Sequence, residues 1–314
     1  MTPGKTYLST EDIRALAQRS DLAGAALILH CWGVIALALA IFALWPNMLT
    51  GLLAIAIIGS RQLGLAILMH EAAHNAMFKT RWLNDFVGEW LCGRPILAEL
   101  AAYRHYHLTH HRFTQTKHDP DLVLSSKFPT TRASLLRKFT RDLTGQTGTK
   151  QLLAQIVMSF RLAGDDDALE AAKSDSAQAF KARDLWKSLP VFAAIAIAMS
   201  LVGDWWWGLA FWVLPYLTWF QFVLRVRNIA EHGATEQSQD PLRNVRTTRA
   251  GWLARTFVAP YWVNYHLEHH MAMHVPCWRL PQMHRLLLAA GLGSDMNIAR
   301  NYGAAMREAG WQNA

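Results

Sequence analysis

The sequence predicts an all-α integral membrane protein, with four transmembrane helices in two hairpins and a cytosolic helical cap. Three observations predict it. Long apolar runs come in two pairs, each joined by a short turn without Lys or Arg. The polar segments around the pairs hold nearly all the basic residues, and they carry three histidine clusters. A length of 314 residues would allow two soluble domains, but 52% hydrophobic residues gathered into such runs argue against that organisation.

Residues 1–21 are polar and mixed in charge, with no small-residue cleavage site before a short apolar core, so a removable signal peptide is not expected. The first hairpin spans residues 22–69. Its first run, 22–45, is interrupted only by His30. Its 24 residues make about 36 Å of helix, enough for a hydrocarbon core of about 30 Å. Pro46-Asn47 marks the turn, and the second run follows. Arg61 and Gln62 sit late in it, so the helix is expected to leave the hydrocarbon near them or to aim Arg61 into a substrate cavity.

Residues 70–188 form a long polar region. Residues 82–100 mix aromatic and aliphatic side chains with Asn84, Asp85, Glu89 and Arg94, which suits a helix lying at the membrane interface. Residues 125–183, with the acidic patch Asp165-Asp166-Asp167, read as cytosolic helices joined by loops. The second hairpin spans 189–224, turning at Gly203-Asp204, where Trp205-Trp206-Trp207 predicts an aromatic belt at the far interface. The tail, 225–314, is polar again. The positive-inside rule places the N-terminus, the central region and the tail in the cytoplasm, so all three histidine clusters share one face.

The net charge of +8 raises nucleic-acid binding, yet Lys and Arg are scattered, without a basic block or nucleic-acid motif. No nucleic-acid partner is expected. Cys31, Cys92 and Cys277 are odd in number and contain no CxxC pair, so neither a disulfide framework nor a thiolate zinc site is expected.

Eight of the fourteen histidines fall in the clusters His70-Glu71-Ala72-Ala73-His74, His107-Leu108-Thr109-His110-His111 and His266-Leu267-Glu268-His269-His270. His232 is a ninth candidate. Residues i and i+3 or i+4 share a helix face, so each cluster can present two or three imidazoles together. Nine imidazoles exceed the four ligands of a tetrahedral zinc, whereas two octahedral ions with open positions can use about eight to ten. Imidazole suits Fe, Zn, Cu and Ni alike, so ligand type does not name the metal. Spacing and membrane context favour two irons.

These clusters resemble the three histidine boxes of the membrane fatty acid desaturase and hydroxylase superfamily, and look closest to bacterial acyl-lipid desaturases. The resemblance covers residues 22–288, including the order of hairpins and boxes. It implies a di-iron centre held by His70, His74, His107, His110, His111, His232, His266, His269 and His270. Asn228-x-x-x-His232 resembles an element of acyl-CoA desaturases that supplies a histidine and a water-bridging asparagine, which makes Asn228 a ligand through water. Asp119, Asp121, Glu71, Glu231 and Glu268 could orient imidazole N–H groups. His105 falls outside the pattern, and His30, His118, His274 and His284 read as structural or surface residues. Val275-Pro276-Cys277-Trp278-Arg279-Leu280-Pro281 also resembles the corresponding segment of carotenoid ketolases of the same superfamily.

The resemblance further implies O2-dependent desaturation of an acyl-lipid in the bacterial inner membrane, with the active site on the cytoplasmic side. The alternative is a hydroxylase or ketolase acting on a lipid, sphingoid base or carotenoid. The chain carries no His-Pro-Gly-Gly haem motif, dinucleotide fingerprint or four-cysteine iron–sulfur set, so an external electron donor such as ferredoxin or a cytochrome b5-like protein is expected. His70-Glu71-Ala72-Ala73-His74 also matches the H-E-x-x-H motif of zinc metalloproteases, with Glu71 as general base, but that leaves the other two clusters unused.

Overall fold

The computed structural model describes residues 7–162 and 185–310. The acidic patch at 165–167 lies outside them. Among the described residues, four helical stretches are long and apolar enough to cross a membrane: Asp21–Leu44, Met48–Ala73, Leu185–Val202 and Leu209–His232. We label as α1 Asp21–Leu44 and as α2 Met48–Ala73. Both are continuous because neither contains proline. The turn between them is fixed by Asn47, whose side chain accepts from the backbone N–H of Leu49 and Thr50, while Thr50 Oγ1 accepts from the Asn47 N–H.

α2 is the axis of the fold. From Ile58 to Ala73 nearly every side chain is buried, because other elements surround it. Arg61 and Gln62 lie within this buried stretch. Arg61 is 4% exposed, donates to the Thr256 carbonyl oxygen and lies 5.8 Å from the centre of the Tyr261 ring. Residues 252–262 of the tail therefore pack against this span and take up its charge. Gln62 is likewise spent on the Trp212 carbonyl, at 2.9 Å.

Residues 82–96 are helical throughout, but the winding changes along the way, and Leu97 ends the run with a left-handed φ of 59°. A helix over Arg81–Val87 passes into a wide turn, Gly88–Gly93, and a tight one, Arg94–Ile96. At Gly88 a Cβ would stand 2.5 Å from the Ala72 Cβ, and the winding changes where the backbone presses on α2. Trp82 and Phe86 do remain exposed. The next helices are α3 (Leu100–Phe113) and α4 (Arg132–Leu143).

The third span contains α5 (Leu189–Val202) and turns at Gly203, over which the Trp207 ring folds. Of the Trp triplet, Trp205 is 79% exposed, whereas Trp207 is buried against Phe42 and Phe211. One indole faces outward and another joins the core. The fourth span ends in α6 (Trp219–His232). In the tail, α7 (His266–Met271), α8 (Leu280–Ala289) and α9 (Tyr302–Gly310) are held by a parallel two-stranded pair, Thr247–Thr248 with Ile298–Ala299. That pair is a small exception to an otherwise helical fold.

α4 is locked to α6 by one buried ion pair. Asp142 is fully buried and accepts from the Arg225 guanidinium, at 2.8 Å for Nη2, and from Thr147 Oγ1 at 2.6 Å. Removing one partner of a buried pair strands the other charge. Arg225→Ala is expected to cost about 3 kcal/mol. The check is the thermal midpoint of the purified protein in detergent, which should fall clearly for Arg225→Ala and less for Arg225→Lys. An unchanged midpoint would contradict this role for the pair.

Candidate metal centre

Four chain segments bring imidazoles to one place. His70 lies in the last turn of α2, and His74 caps that helix, which stops because Asn75 turns to a left-handed φ of 52°. His107, His110 and His111 line one face of α3. His232 ends α6, and α7 carries His266, His269 and His270. All nine imidazoles proposed from the sequence fall into close groups.

Two cages result. In the first, one ligand atom from each of His70, His74, His107, His111 and His269 lies within 4.8 Å of all the others. The second gathers His110, His232 and His270 within the same limit. His266 joins it, its Nε2 being 2.8 Å from His232 Nε2 and 3.1 Å from His270 Nε2. The cages adjoin where His111 and His270 stack, with ring centres 4.2 Å apart.

The donor chemistry fits metal ions. Both ring nitrogens of His70 and of His74 are buried without a hydrogen-bond partner. An unpaired buried polar atom costs about 1–3 kcal/mol, and several in one place need a shared reason. His111 Nε2 also approaches His107 Nε2 to 2.9 Å and His269 Nε2 to 3.0 Å. Facing imidazole lone pairs repel unless a cation or proton lies between them.

Burial and the charge of neighbouring imidazoles push His107, His111, His266, His269 and His270 well below the usual histidine pKa. Burial, with Arg104 next, takes His74 down to about 3. These rings are neutral at pH 7, the form that binds metal. His110 is the exception. Burial pushes it down, but Asp121 and Asp119 outweigh that and hold it above its usual value.

Asp119 is the carboxylate that hydrogen-bonds a cage imidazole, its Oδ1 lying 2.8 Å from His110 Nδ1. The Gln115 and Asp121 N–H groups, each 2.8 Å away, fix it in turn. Asp121 stands 3.6 Å from the same His110 nitrogen and accepts from the Tyr106 hydroxyl. Glu231 is 3.6 Å from His266 Nδ1 and spends its other oxygen on Arg227 Nε, at 2.8 Å. Glu268 departs from the expectation. It is fully buried but accepts from Thr247 Oγ1 and pairs with His284 Nδ1, each at 2.5 Å, so it anchors α7 to the strand pair and to α8.

Glu71 accepts the Cys277 backbone N–H at 2.9 Å. Its other oxygen lies 3.3 Å from His70 Nδ1, so Glu71 also faces a cage imidazole, as the sequence suggested. His105 and His118 are exposed and outside the cages, His30 meets the Tyr261 hydroxyl at 3.2 Å, and His284 is half of a buried pair. Asn228 lies one turn before His232 on α6, half-buried. Sequence reasoning missed Arg227, although its i,i+4 relation to Glu231 was visible, and it missed Gln115, which donates to the His232 carbonyl at 3.0 Å. No spacing rule points to Gln115.

Paired polyhistidine cages beneath four apolar spans define an integral membrane protein with a histidine-built metal site. The sequence profile of the family described as Fatty acid desaturase matches residues 43–300, and the chain belongs to that family. It is 25% identical over 242 residues to the dihydrorhizobitoxine desaturase of Bradyrhizobium elkanii, covering 74% of this chain and 66% of that one. It is 24% identical over 217 residues to an sn-1 acyl-lipid omega-3 desaturase (ferredoxin) of a Nostoc strain, covering 67% and 57%. A beta-carotene ketolase of a Paracoccus strain is 24% identical over 267 residues, covering 82% and 89%. The chain thus spans less than two thirds of the length of the first two relatives.

The two cages predict separable metal loading. Anaerobically purified wild type should hold about two metal ions per chain by plasma mass spectrometry. His107→Ala in the first cage and His232→Ala in the second should each retain about one, and the double variant close to none. Full loading of either single variant would remove that histidine from the ligand set.

Proposed function

We propose that this chain is a membrane-bound, O2-dependent acyl-lipid desaturase, with the nine imidazoles holding two irons and Asn228 joining through water. The observation that carries the reading is the pair of adjoining imidazole cages, buried at the ends of α2 and α6. Irons held there would supply the oxidising power that removes two hydrogens from an unactivated chain. The balance takes one O2, two protons and two electrons and releases two waters with the alkene.

The chain's own residues arrange the site. Asp119 holds the Nδ1 side of His110, which leaves Nε2 as its ligand atom. Tyr103 stacks on His107, with ring centres 5.2 Å apart, and limits its rotation. The apolar body around α2 keeps bulk water from the first cage, so reactive species there would meet C–H bonds rather than solvent. Electrons come from an external carrier. A ferredoxin is supported by the name of the Nostoc relative, and a cytochrome b5-like protein would serve the same role. The lack of basic residues in both hairpin turns supports a cytoplasmic site, in a bacterial inner membrane.

A second reading is favoured by the ketolase relative, 89% of whose length is covered: oxygen insertion into a lipid or carotenoid by the same centre. Lipid and pigment mass spectrometry of cells expressing wild type and His269→Ala separates the two. New unsaturation two hydrogens lighter, lost in the variant, is the expected result. A variant-dependent gain of oxygen would replace desaturation by hydroxylation or ketolation, and no difference in any lipid would refute both.

A further inference from the structure

The first cage has a cationic neighbour that the reaction as described leaves unused. His74 lines it on one side and also lines a pocket of about 430 Å³ whose other walls are Arg19, Asn75, Phe78, Lys79, Arg81 and Asn84. That size suits a small molecule or one end of a larger one. Arg19, Lys79 and Arg81 are exposed, and among the described residues none is in an ion pair. The nearby carboxylate, Asp21, accepts from the Thr80 N–H at 2.8 Å and from Thr80 Oγ1 at 2.7 Å, and its charge also acts on Lys79, which leaves Arg19 and Arg81 as the cations facing no carboxylate at this pocket.

The pocket is also held in shape. Asn84 is fully buried and clasps Phe78 from both sides, its Oδ1 accepting the Phe78 N–H at 2.9 Å and its Nδ2 donating to the Phe78 carbonyl at 3.0 Å. Asn75 holds a left-handed backbone, and its Oδ1 is buried without a partner. A flip of that amide would present its N–H₂ instead. Strain and an unspent polar atom beside a metal cage are marks of a ligand site. The place in the fold matters too. The pocket opens between the start of α1 and the end of α2, and the exposed Trp82 and Phe86 follow its Arg81 in the chain, side chains of the kind that sit at a lipid interface.

We propose that this pocket receives the anionic end of the substrate, a phosphate or a carboxylate, and holds it beside the His74 arm of the first cage. The proposal rests on the desaturase reading and narrows its substrate to an anionic lipid. Guanidinium and ammonium groups supply charge-assisted hydrogen bonds to such an end, while Phe78 supplies the apolar wall that its first carbons would follow. A carrier protein would dock on a broad basic surface and would not require a walled recess with a buried amide.

The test uses the full chain in detergent, with native mass spectrometry of added phosphatidylglycerol, oleate and uncharged diolein. Wild type should bind phosphatidylglycerol or oleate about tenfold more tightly than diolein at low salt. The variant carrying Lys79→Gln and Arg81→Gln should lose that preference but keep its diolein affinity, metal content and thermal midpoint. Preference for phosphatidylglycerol assigns the group to a lipid phosphate, and preference for oleate to a free carboxylate. Equal binding of all three lipids by wild type, or a variant with unchanged preference, overturns the proposal. So does a variant that binds lipid normally but is reduced more slowly by ferredoxin, since the cations would then serve the carrier. If the lipid preference follows the pocket while no cell lipid changes on expression, the desaturase reading fails and the anion site stands. If wild type desaturates lipids and the variant does so equally, the anion site fails and the desaturase reading stands.

Discussion

Neutral imidazoles crowded in a dry interior are the constraint on which this structure depends. Each buried nitrogen lone pair is unfavourable unless something electropositive meets it, and here nine rings share that need. No single helix can satisfy it, because one helix face offers at most two or three rings at the right spacing. The chain must therefore bring α2, α3, α6 and α7 to one point. Much else in the fold serves that convergence: the long buried face of α2, the Asp142–Arg225 lock, and the strand pair that steadies the tail.

The surrounding carboxylates divide the work unequally. His110 receives the direct hydrogen bond of Asp119 and the near charge of Asp121, so it differs from its neighbours in both orientation and proton affinity. Glu268 instead spends its charge on Thr247 and His284, which positions α7, while Glu71 divides its two oxygens between the Cys277 N–H and His70 Nδ1. Acidic residues next to a histidine motif are thus of two kinds. Some tune the ring, and others hold in place the segment that carries it.

Much of this was legible in the sequence because it is periodic or compositional. Apolar runs mark the spans, and i,i+4 spacing marks the paired rings. What was not legible depends on contacts between distant segments. The partner of Arg61 is the Thr256 carbonyl, 195 residues away, which no local pattern could name. Trp207 looked like a belt residue, but Gly203 gives its ring room to fold inward. The change of winding after Val87 accompanies the close approach of Gly88 to Ala72, which no local pattern encodes. Glu268 stood among likely-looking histidines, yet its partners come from the strand pair and α8.

Because His269 completes the first cage, and three of the four rings of the second come from His232 onward, neither site exists until most of the chain has been synthesised. Both cages are therefore completed only by residues at or beyond the end of the fourth apolar stretch. A nascent chain stalled before α7 would carry His70, His74, His107 and His111 without the ring that closes around them. The order of residues along the chain thus acts as a timer for the assembly of both cages.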